Sequence, residues 1–279
     1  LNYANPNAMV IHRINECDER KNTNFVNKYL IEANKVADYT VFVSVWLKEL
    51  YLQQGINTKN NYVIMAGANP QIFNNSNKAK WDSTSKLKIV THHWGANWNK
   101  GFDVYEKIDN LIDDNFWNKR IEFMYIGNLP NKFKFKNSKH IKPLSGKSLS
   151  SKLKENNLYI TGSLNEPSGN HHIEASQCGI PLMYIDSGGV KEYCEGFGIE
   201  YTQENLEEKL KYAINNYKSY FKKIESYPFN SDLMCDQFLN LFDEMLDNKE
   251  ATMKLRNITP PSFLGEKIYK YKRRINLDI

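Results

Sequence analysis

Short apolar and β-branched runs alternate along the first third of the chain with segments in which apolar residues recur at helical spacing. This alternation predicts strands and helices in turn. A stretch rich in Asn and Ser then continues to residue 85 and is typical of a linker. The predicted order is strand, helix, strand, helix and strand, over residues 8–14, 24–37, 39–44, 46–54 and 62–65.

The same alternation resumes after the linker and continues to residue 185, with amphipathic helices over residues 203–247. Repeated strand–helix units favour an α/β fold with a parallel sheet. Predicted strands cover residues 87–91, 121–127, 158–161 and 181–185, and predicted helices cover residues 100–111, 148–156 and 170–178. One face of the late helices should enter the core through Leu206, Leu210, Ala213, Ile214 and Tyr217.

Three regions follow from this pattern. Residues 1–80 form the end of one α/β unit and a linker, residues 81–247 form a second unit, and residues 248–279 form a basic tail with a terminal helix from residue 260. The first predicted strand begins close to Leu1, with no initiator Met or targeting segment before it. We therefore expect the chain to be a fragment whose first strands are absent.

The composition is that of a globular protein. With 279 residues, 41% of them apolar and 13% aromatic, the chain can bury one good core and part of another. The sequence contains no apolar run of about 18 residues, the length of a membrane-spanning helix. The four cysteines show no CxxC spacing. They are expected to be free thiols in a cytoplasmic protein.

The positive charge is concentrated at one end of the chain. Residues 249–279 contain eight Lys or Arg and three Asp or Glu, a net charge of +5, which equals the charge of the whole chain. Such a tail could touch acidic lipid headgroups or could be a solvated terminal helix. Because the excess is confined to the tail, we do not expect nucleic acid to be a partner.

A strand–turn–helix–strand unit over residues 158–185 holds the strongest candidate chemistry. Residues 165–169 are dense in turn formers, and a helix beginning near Ser168 ends at Gly179 and Pro181. Ligands bind at the carboxyl ends of parallel strands, and unpaired N–H groups at a helix start suit a phosphate. Glu166 lies in the turn and Glu174 in the helix. Spacing alone equally allows Ser168 to be an N-cap and both glutamates to be solvated.

The segment EPSGNHHIE from Glu166 to Glu174, followed by Ala175 and by CGIP at residues 178–181, resembles a known signature. It is similar to the E-x7-E motif of retaining glycosyltransferases of the GT-B fold, family 4. The resemblance implies a Rossmann-like C-terminal domain and the last part of a Rossmann-like N-terminal domain. It also implies transfer of a sugar from a nucleotide diphosphate sugar to an acceptor hydroxyl, with retention of configuration and without a cofactor or metal.

The resemblance assigns roles within this stretch. Glu166 would contact and orient the donor sugar, and Glu174 would hold the ribose hydroxyls. The departing diphosphate would be stabilised by the helix start and by a Lys-Gly pair at the mouth of an earlier helix. These anion-binding residues are Lys100, Gly101, Ser168, Gly169, Asn170 and His171.

Further positions match the family more loosely. His12, after the first strand, would face the cleft and contact the donor sugar or acceptor; the alternative is a polar strand end. Gly188, Gly189 and Glu192 would meet the ligand; the alternative is a turn followed by a capped helix. Residues 141–144 lie where backbone groups read the nucleotide base.

The chain departs from the family at three places. The arginine usually found about six residues before the phosphate-binding lysine is Trp94, so His93 or Asn97 would supply another donor. The usual Asn and Asp of the linker motif are Ala66 and Asn69.

Two His pairs, at residues 92–93 and 171–172, raise the question of a metal site. Neighbouring side chains diverge on both strands and helices, so neither pair is a natural two-ligand clip. No metal site is predicted.

Two other functions remain open from the sequence. A nucleotide-sugar epimerase shares the architecture and the phosphate-binding groups, and a non-catalytic nucleotide-sugar-binding fragment would need only half of the cleft. As a transferase, the protein would act in the cytoplasm on a glycan, lipid-linked or other hydroxyl acceptor, with peripheral membrane contact through the tail.

Overall fold

The computed structural model describes residues 5, 7–56, 59–256 and 262–274. Three parallel strands form the first sheet in the order β1-β2-β3, namely β1 (Ile11–Ile14), β2 (Tyr39–Phe42) and β3 (Asn61–Val63). The connections between these strands are α1 (Asp18–Lys21), α2 (Val26–Asn34) and α3 (Val45–Gln53).

Six parallel strands form the second sheet, in the order β6-β5-β4-β7-β8-β9. They are β4 (Leu87–His93), β5 (Ile121–Gly127), β6 (Lys139–Ile141), β7 (Leu158–Thr161), β8 (Leu182–Tyr184) and β9 (Gly198–Glu200). The strand order reverses between β4 and β7, and such a reversal opens a crevice at the carboxyl ends of the strands. The predicted α/β class with a Rossmann-like parallel sheet is confirmed.

Helices cover this second sheet and complete its core. They are α4 (Phe102–Leu111), α5 (Asn115–Asn118), α6 (Gly146–Lys154), α7 (Asn170–Gln177), α8 (Val190–Cys194) and α9 (Leu206–Ile224). The predicted apolar face of α9 is confirmed, because four of its five residues are buried and Ile214 packs against the same cluster.

The chain then returns to the first sheet through α10 (Ser231–Asp247). Leu241 and Met245 of this helix pack with Tyr39 and Val41 of β2, so the predicted region 81–247 includes a helix that packs on the first sheet. Two further helices follow, α11 (Lys249–Leu255) and α12 (Phe263–Arg274).

Two strands were missed from the sequence. Strand β6 lies inside residues 131–147, which carry six lysines and no acid, a composition typical of a solvated loop. It is an edge strand, where lysines are common because they discourage pairing with other chains. Strand β9 is three residues long at the opposite edge and has no apolar run to mark it.

Other boundaries differ modestly. The strand predicted over residues 8–14 is shorter, and β4 extends two residues beyond its predicted end. The predicted terminal helix is present over Phe263–Arg274, whereas residues 260, 261 and 275–279 lie outside the described part of the chain.

The remaining features of the fold are the state of its cysteines and the length and polarity of its helices. All four cysteines are free, as predicted. Among the described helices, none is long and apolar enough to cross a membrane.

Candidate functional site

A cleft of about 870 Å³ lies between the two sheets, at the carboxyl ends of their strands. The first sheet contributes polar and charged residues that follow β1, and the second sheet contributes the loops after β4, β6 and β7. Cleft residues from the first unit include Arg13, Asn15, Glu16, Arg20 and Lys21, and those from the second include His93, Lys100, Glu166, Ser168, Gly169, Asn170, His171 and Glu174.

Glu166 is buried at the centre of this cleft, with 3% of its surface exposed. Lys100 Nζ lies 2.6 Å from its Oε2, and Arg20 Nε lies 2.9 Å from its Oε1. Lys100 is itself buried, on a short 3-10 turn (Trp98–Lys100) that precedes α4. The structure therefore brings together two residues that were predicted to contact the donor, and it adds Arg20, which the sequence did not single out.

The turn that carries Glu166 is held by the segment before α8. Asn165 has a left-handed backbone with φ 51°, and its N–H donates to Ser187 Oγ at 2.8 Å. Gly189 N–H donates to Glu166 O at 2.9 Å. A Cβ on Gly188 would lie 2.5 Å from that same carbonyl oxygen. Gly188 and Gly189 were expected to meet the ligand, but their backbone packs against this turn and positions Glu166.

Glu192 also differs from its predicted role. Its carboxylate accepts hydrogen bonds from the N–H groups of Val45 at 2.7 Å and Trp46 at 2.8 Å. These are unpaired donors of the first turn of α3, which attract a carboxylate. Glu192 therefore caps a helix of the first unit, and it is not among the described residues that line the cleft.

Gly101 has a packing role as well. Its φ is 98°, and a Cβ there would lie 2.6 Å from the backbone of Gly162. The glycine thus allows the loop after β7 to approach the start of α4. Its neighbour Lys100, and not Gly101, is the member of the predicted Lys-Gly pair that lines the cleft.

The prediction that His12 faces the cleft is corrected by the structure. Its Nδ1 lies 3.1 Å from Asn34 Nδ2 on α2, and burial lowers the pKa of the ring. Successive side chains of a strand point to opposite faces. Arg13, the next residue, consequently lines the cleft, while His12 packs beneath α2.

Helix α7 carries Glu174 to the cleft. The helix begins after Gly169, whose φ is 72°, and its first N–H groups lack intrahelical partners. His92 Nε2 lies 2.9 Å from Glu174 Oε2. Because an ionised carboxylate can only accept, His92 carries a proton on Nε2 in this contact. One carboxylate oxygen of Glu174 is thereby fixed, and the residue lines the cleft.

Three other histidines form a buried group at the cleft, and two of them, His93 and His171, line it. His93 Nε2 lies 2.6 Å from Tyr105 Oη, and His171 Nε2 lies 2.9 Å from Thr161 Oγ1. Burial lowers the pKa of His93 and His171 well below the usual value and that of His172 to about 3. These rings are therefore neutral at pH 7. Within the described ranges, no group of three or more His, Cys, Asp or Glu could hold a metal ion.

Position 94, where the resemblance places an arginine, holds a tryptophan, and three cations of the first unit line the same cleft. Trp94 is 73% exposed and lines the cleft, where Arg13, Arg20 and Lys21 also lie. The signal in the sequence was the charged run at residues 16–21 directly after a predicted strand. Pro143, which the resemblance placed near the nucleotide base, lines the cleft too.

No protein-family profile and no curated protein matches the sequence. Solved structures do match. The structure of Anabaena Alr3699/HepE in complex with UDP and glucose has a TM-score of 0.68 at 15% identity, over 84% of this chain and 71% of that chain. Sucrose-phosphate synthase from Thermosynechococcus elongatus has a TM-score of 0.62 at 15% identity, over 85% and 68%.

A third similar structure is that of a variant of S. aureus TarM in complex with fondaparinux, alpha-GlcNAc-glycerol and UDP. It has a TM-score of 0.66 at 17% identity, over 85% of this chain and 51% of that chain. These structural neighbours are GT-B glycosyltransferases. At such identities the likeness establishes the fold, which is the GT-B fold predicted from the sequence.

Proposed function

We propose that the protein is a glycosyltransferase that moves a sugar from a nucleotide diphosphate sugar to an acceptor hydroxyl, with retention of configuration. The observation that carries the proposal is the meeting of Lys100, Glu166 and Glu174 with the start of α7 in one cleft. The UDP and UDP-glucose complexes of the structural neighbour HepE support the choice of donor class.

In this proposal the diphosphate binds Lys100 and the N-terminus of α7. Lys100 is buried, so its charge acts in a medium of low dielectric constant, where it is worth more than in water. The negative charge on the diphosphate grows as the sugar leaves, and fixed positive groups at that point stabilise the transition state. We propose no cofactor and no metal for this step.

Two glutamates hold the other parts of the donor. Glu174, oriented by His92, accepts hydrogen bonds from the ribose hydroxyls through its free oxygen. Glu166 accepts hydrogen bonds from the sugar hydroxyls and orients the anomeric carbon. Backbone groups of residues 141–144 contact the base in this proposal, which is supported by Pro143 and Leu144 lining the cleft.

The acceptor enters from the side of the cleft formed by the first sheet. Arg13 and Asn15 line that side. The exposed ring of Trp94 lines the cleft from the second unit, and an indole can stack on a sugar ring. A glycan or lipid-linked acceptor suits these groups, and nucleic acid is not a proposed partner.

We place the enzyme in the cytoplasm with peripheral contact to a membrane through α12. This helix exposes Phe263, Leu264, Ile268 and Tyr271, and its sequence also contains five Lys or Arg residues. An apolar face with basic residues binds anionic lipid surfaces. Sedimentation with phosphatidylglycerol vesicles, compared with phosphatidylcholine vesicles, tests this contact.

The function is tested by turnover. Sugar nucleotides are incubated with candidate acceptors, and release of nucleotide diphosphate, the glycosylated product and its anomeric configuration are measured by chromatography and NMR. Free nucleotide with a glycosylated product excludes an epimerase, and inversion contradicts the retaining assignment. Glu166→Ala should abolish transfer while keeping the fold. Full activity of that variant removes Glu166 from the site, and unchanged turnover in EDTA is expected.

A further inference from the structure

Arg20 reaches the buried carboxylate of Glu166 from the opposite side of the cleft to Lys100. It lies on α1, after the first strand of the first sheet, and its Nε is 2.9 Å from Glu166 Oε1. Lys100 belongs to the second unit, on the 3-10 turn after β4, and its Nζ is 2.6 Å from Oε2. Each oxygen of one carboxylate thus meets a cation from a different unit.

The guanidinium of Arg20 is held in place by groups of the protein itself. Asn165 Nδ2 donates to Glu19 O at 3.3 Å, and Asn99 Nδ2 donates to Arg20 O at 3.4 Å. Arg20 Nη1 donates to Glu16 Oε2 at 2.6 Å. These contacts tie α1 to the two loops that carry Glu166 and Lys100, so Arg20 is preorganised at the centre of the cleft.

The second sheet alone supplies little positive charge for a diphosphate. Of the described residues that line the cleft, Lys100 is the one Lys or Arg contributed by that sheet. Position 94, where the resemblance places an arginine, holds an exposed tryptophan. A diphosphate carries more negative charge than Lys100 and the N-terminus of α7 neutralise together, because a helix N-terminus is worth only about half a unit charge. A second cation is therefore needed from the first unit.

We propose that Arg20 is this second cation, and that Glu166 forms ion pairs with Arg20 and Lys100 until the donor binds. The inference rests on the proposed function, because it requires a nucleotide diphosphate in this cleft. Arg20 is then a binding residue supplied by the first sheet, and the donor bridges both halves of the molecule.

An exchange, in which phosphate oxygens replace the Glu166 carboxylate beside the two cations, follows from the cost of a buried charge. A buried cation without a partner is strongly unfavourable, and the ion pair with Glu166 offsets that cost for Lys100. An incoming diphosphate would be repelled by Glu166 and attracted by the two cations beside it. When phosphate oxygens replace the carboxylate, Glu166 is free to accept hydrogen bonds from the sugar. The carboxylate therefore becomes available for orientation only after the diphosphate is bound.

Calorimetric titration of the full chain with UDP and with uridine tests the role of Arg20. Removing a charge-assisted contact should weaken UDP binding by about 10- to 100-fold in Arg20→Ala, with uridine binding changed less than about threefold. Arg20→Lys should fall between Arg20→Ala and wild type, because lysine keeps the charge and lacks the planar fork. Lys28→Ala, an exposed charge removal on α2, is the matched control and should bind UDP as wild type does.

The outcomes separate the two proposals. If wild type binds UDP and Lys100→Ala weakens it while Arg20→Ala does not, the assignment of Arg20 is wrong and the proposed function stands. If wild type binds none of UDP, ADP and GDP, the proposed function itself fails.

The pairing of Glu166 with both cations has a separate test. Glu166→Gln releases both cations, so UDP should bind about three- to tenfold more tightly although sugar transfer falls. The gain should be smaller in the Arg20→Ala background. Thermal unfolding confirms that each variant is folded. Weaker or unchanged UDP binding by folded Glu166→Gln overturns the exchange.

Discussion

The carboxylate of Glu192 accepts a hydrogen bond from the backbone N–H of Trp46, with 2.8 Å between Oε1 and the nitrogen. The two residues are 146 positions apart and lie on helices of the two different units, α8 and α3. Ser44 caps the same helix by accepting from Leu47 N–H at 3.2 Å. The second unit thus completes the N-terminus of a helix in the first, which fixes how the two walls of the cleft face each other.

Loss of this cap should reduce stability. Glu192→Ala is expected to lower the free energy of unfolding by about 1–2 kcal/mol, because two N–H groups of α3 lose their acceptor. Urea denaturation followed by circular dichroism measures the change. Glu192→Gln, which keeps an acceptor oxygen, should lose less. A tenfold loss of UDP affinity with unchanged stability would instead support the donor contact that the resemblance implies.

Gly188→Ala should disturb the turn that carries Glu166. A Cβ there would lie 2.5 Å from Glu166 O, and φ is 73°. Gly196→Ala is the matched control, since its φ is 82° and nothing lies within 4 Å of the added Cβ. We expect the control to lose about 1 kcal/mol of stability from the left-handed backbone, and Gly188→Ala to lose about 2 kcal/mol more. Equal losses, measured by urea denaturation, would argue against the close contact.

The sequence allowed the parallel sheet and the strand–turn–helix unit around Glu166 to be predicted because their signals are local. Strand β7 has the predicted bounds, and α7 begins at the predicted Asn170. Apolar runs, turn formers and a closing glycine act on neighbouring residues, so a single sequence records them.

The contacts that close the cleft could not be predicted in the same way. Arg20 and Glu166 are far apart along the chain, and nothing in the charged run around Arg20 identifies its partner. Similarly, whether His12 or Arg13 faces the cleft depends on which side of β1 is covered by α2, a fact of tertiary packing. The resemblance placed the candidate site at the carboxyl edge of the sheet, and packing decided which side chains line it.

The stability of the folded state should decrease as the pH is lowered, because of the buried histidines. Burial lowers the pKa of His172 to about 3, so the folded state stays neutral while the unfolded chain binds a proton below its ordinary pKa of about 6.5. The unfolded state then holds more protons, and stability present above pH 6.5 is lost as pH falls toward 3, by up to about 1.4 kcal/mol per pH unit. Between pH 7.5 and pH 5, the free energy of unfolding measured by urea denaturation should decrease less for His172→Phe than for the wild type. An equal decrease in both proteins would contradict this source.

The contact between His92 and Glu174 predicts a specific pattern of coupling. If His92 acts by fixing the carboxylate, Glu174→Ala should weaken UDP binding by about 10- to 100-fold and His92→Ala by about three- to tenfold. In the Glu174→Ala background, His92→Ala should have no further effect, because the group it orients is gone. His140→Ala, whose ring contacts Gly127 O at 2.8 Å, is a control expected to bind UDP normally. Equal losses from His92→Ala in both backgrounds, measured by calorimetry, would mean that His92 contacts the nucleotide itself.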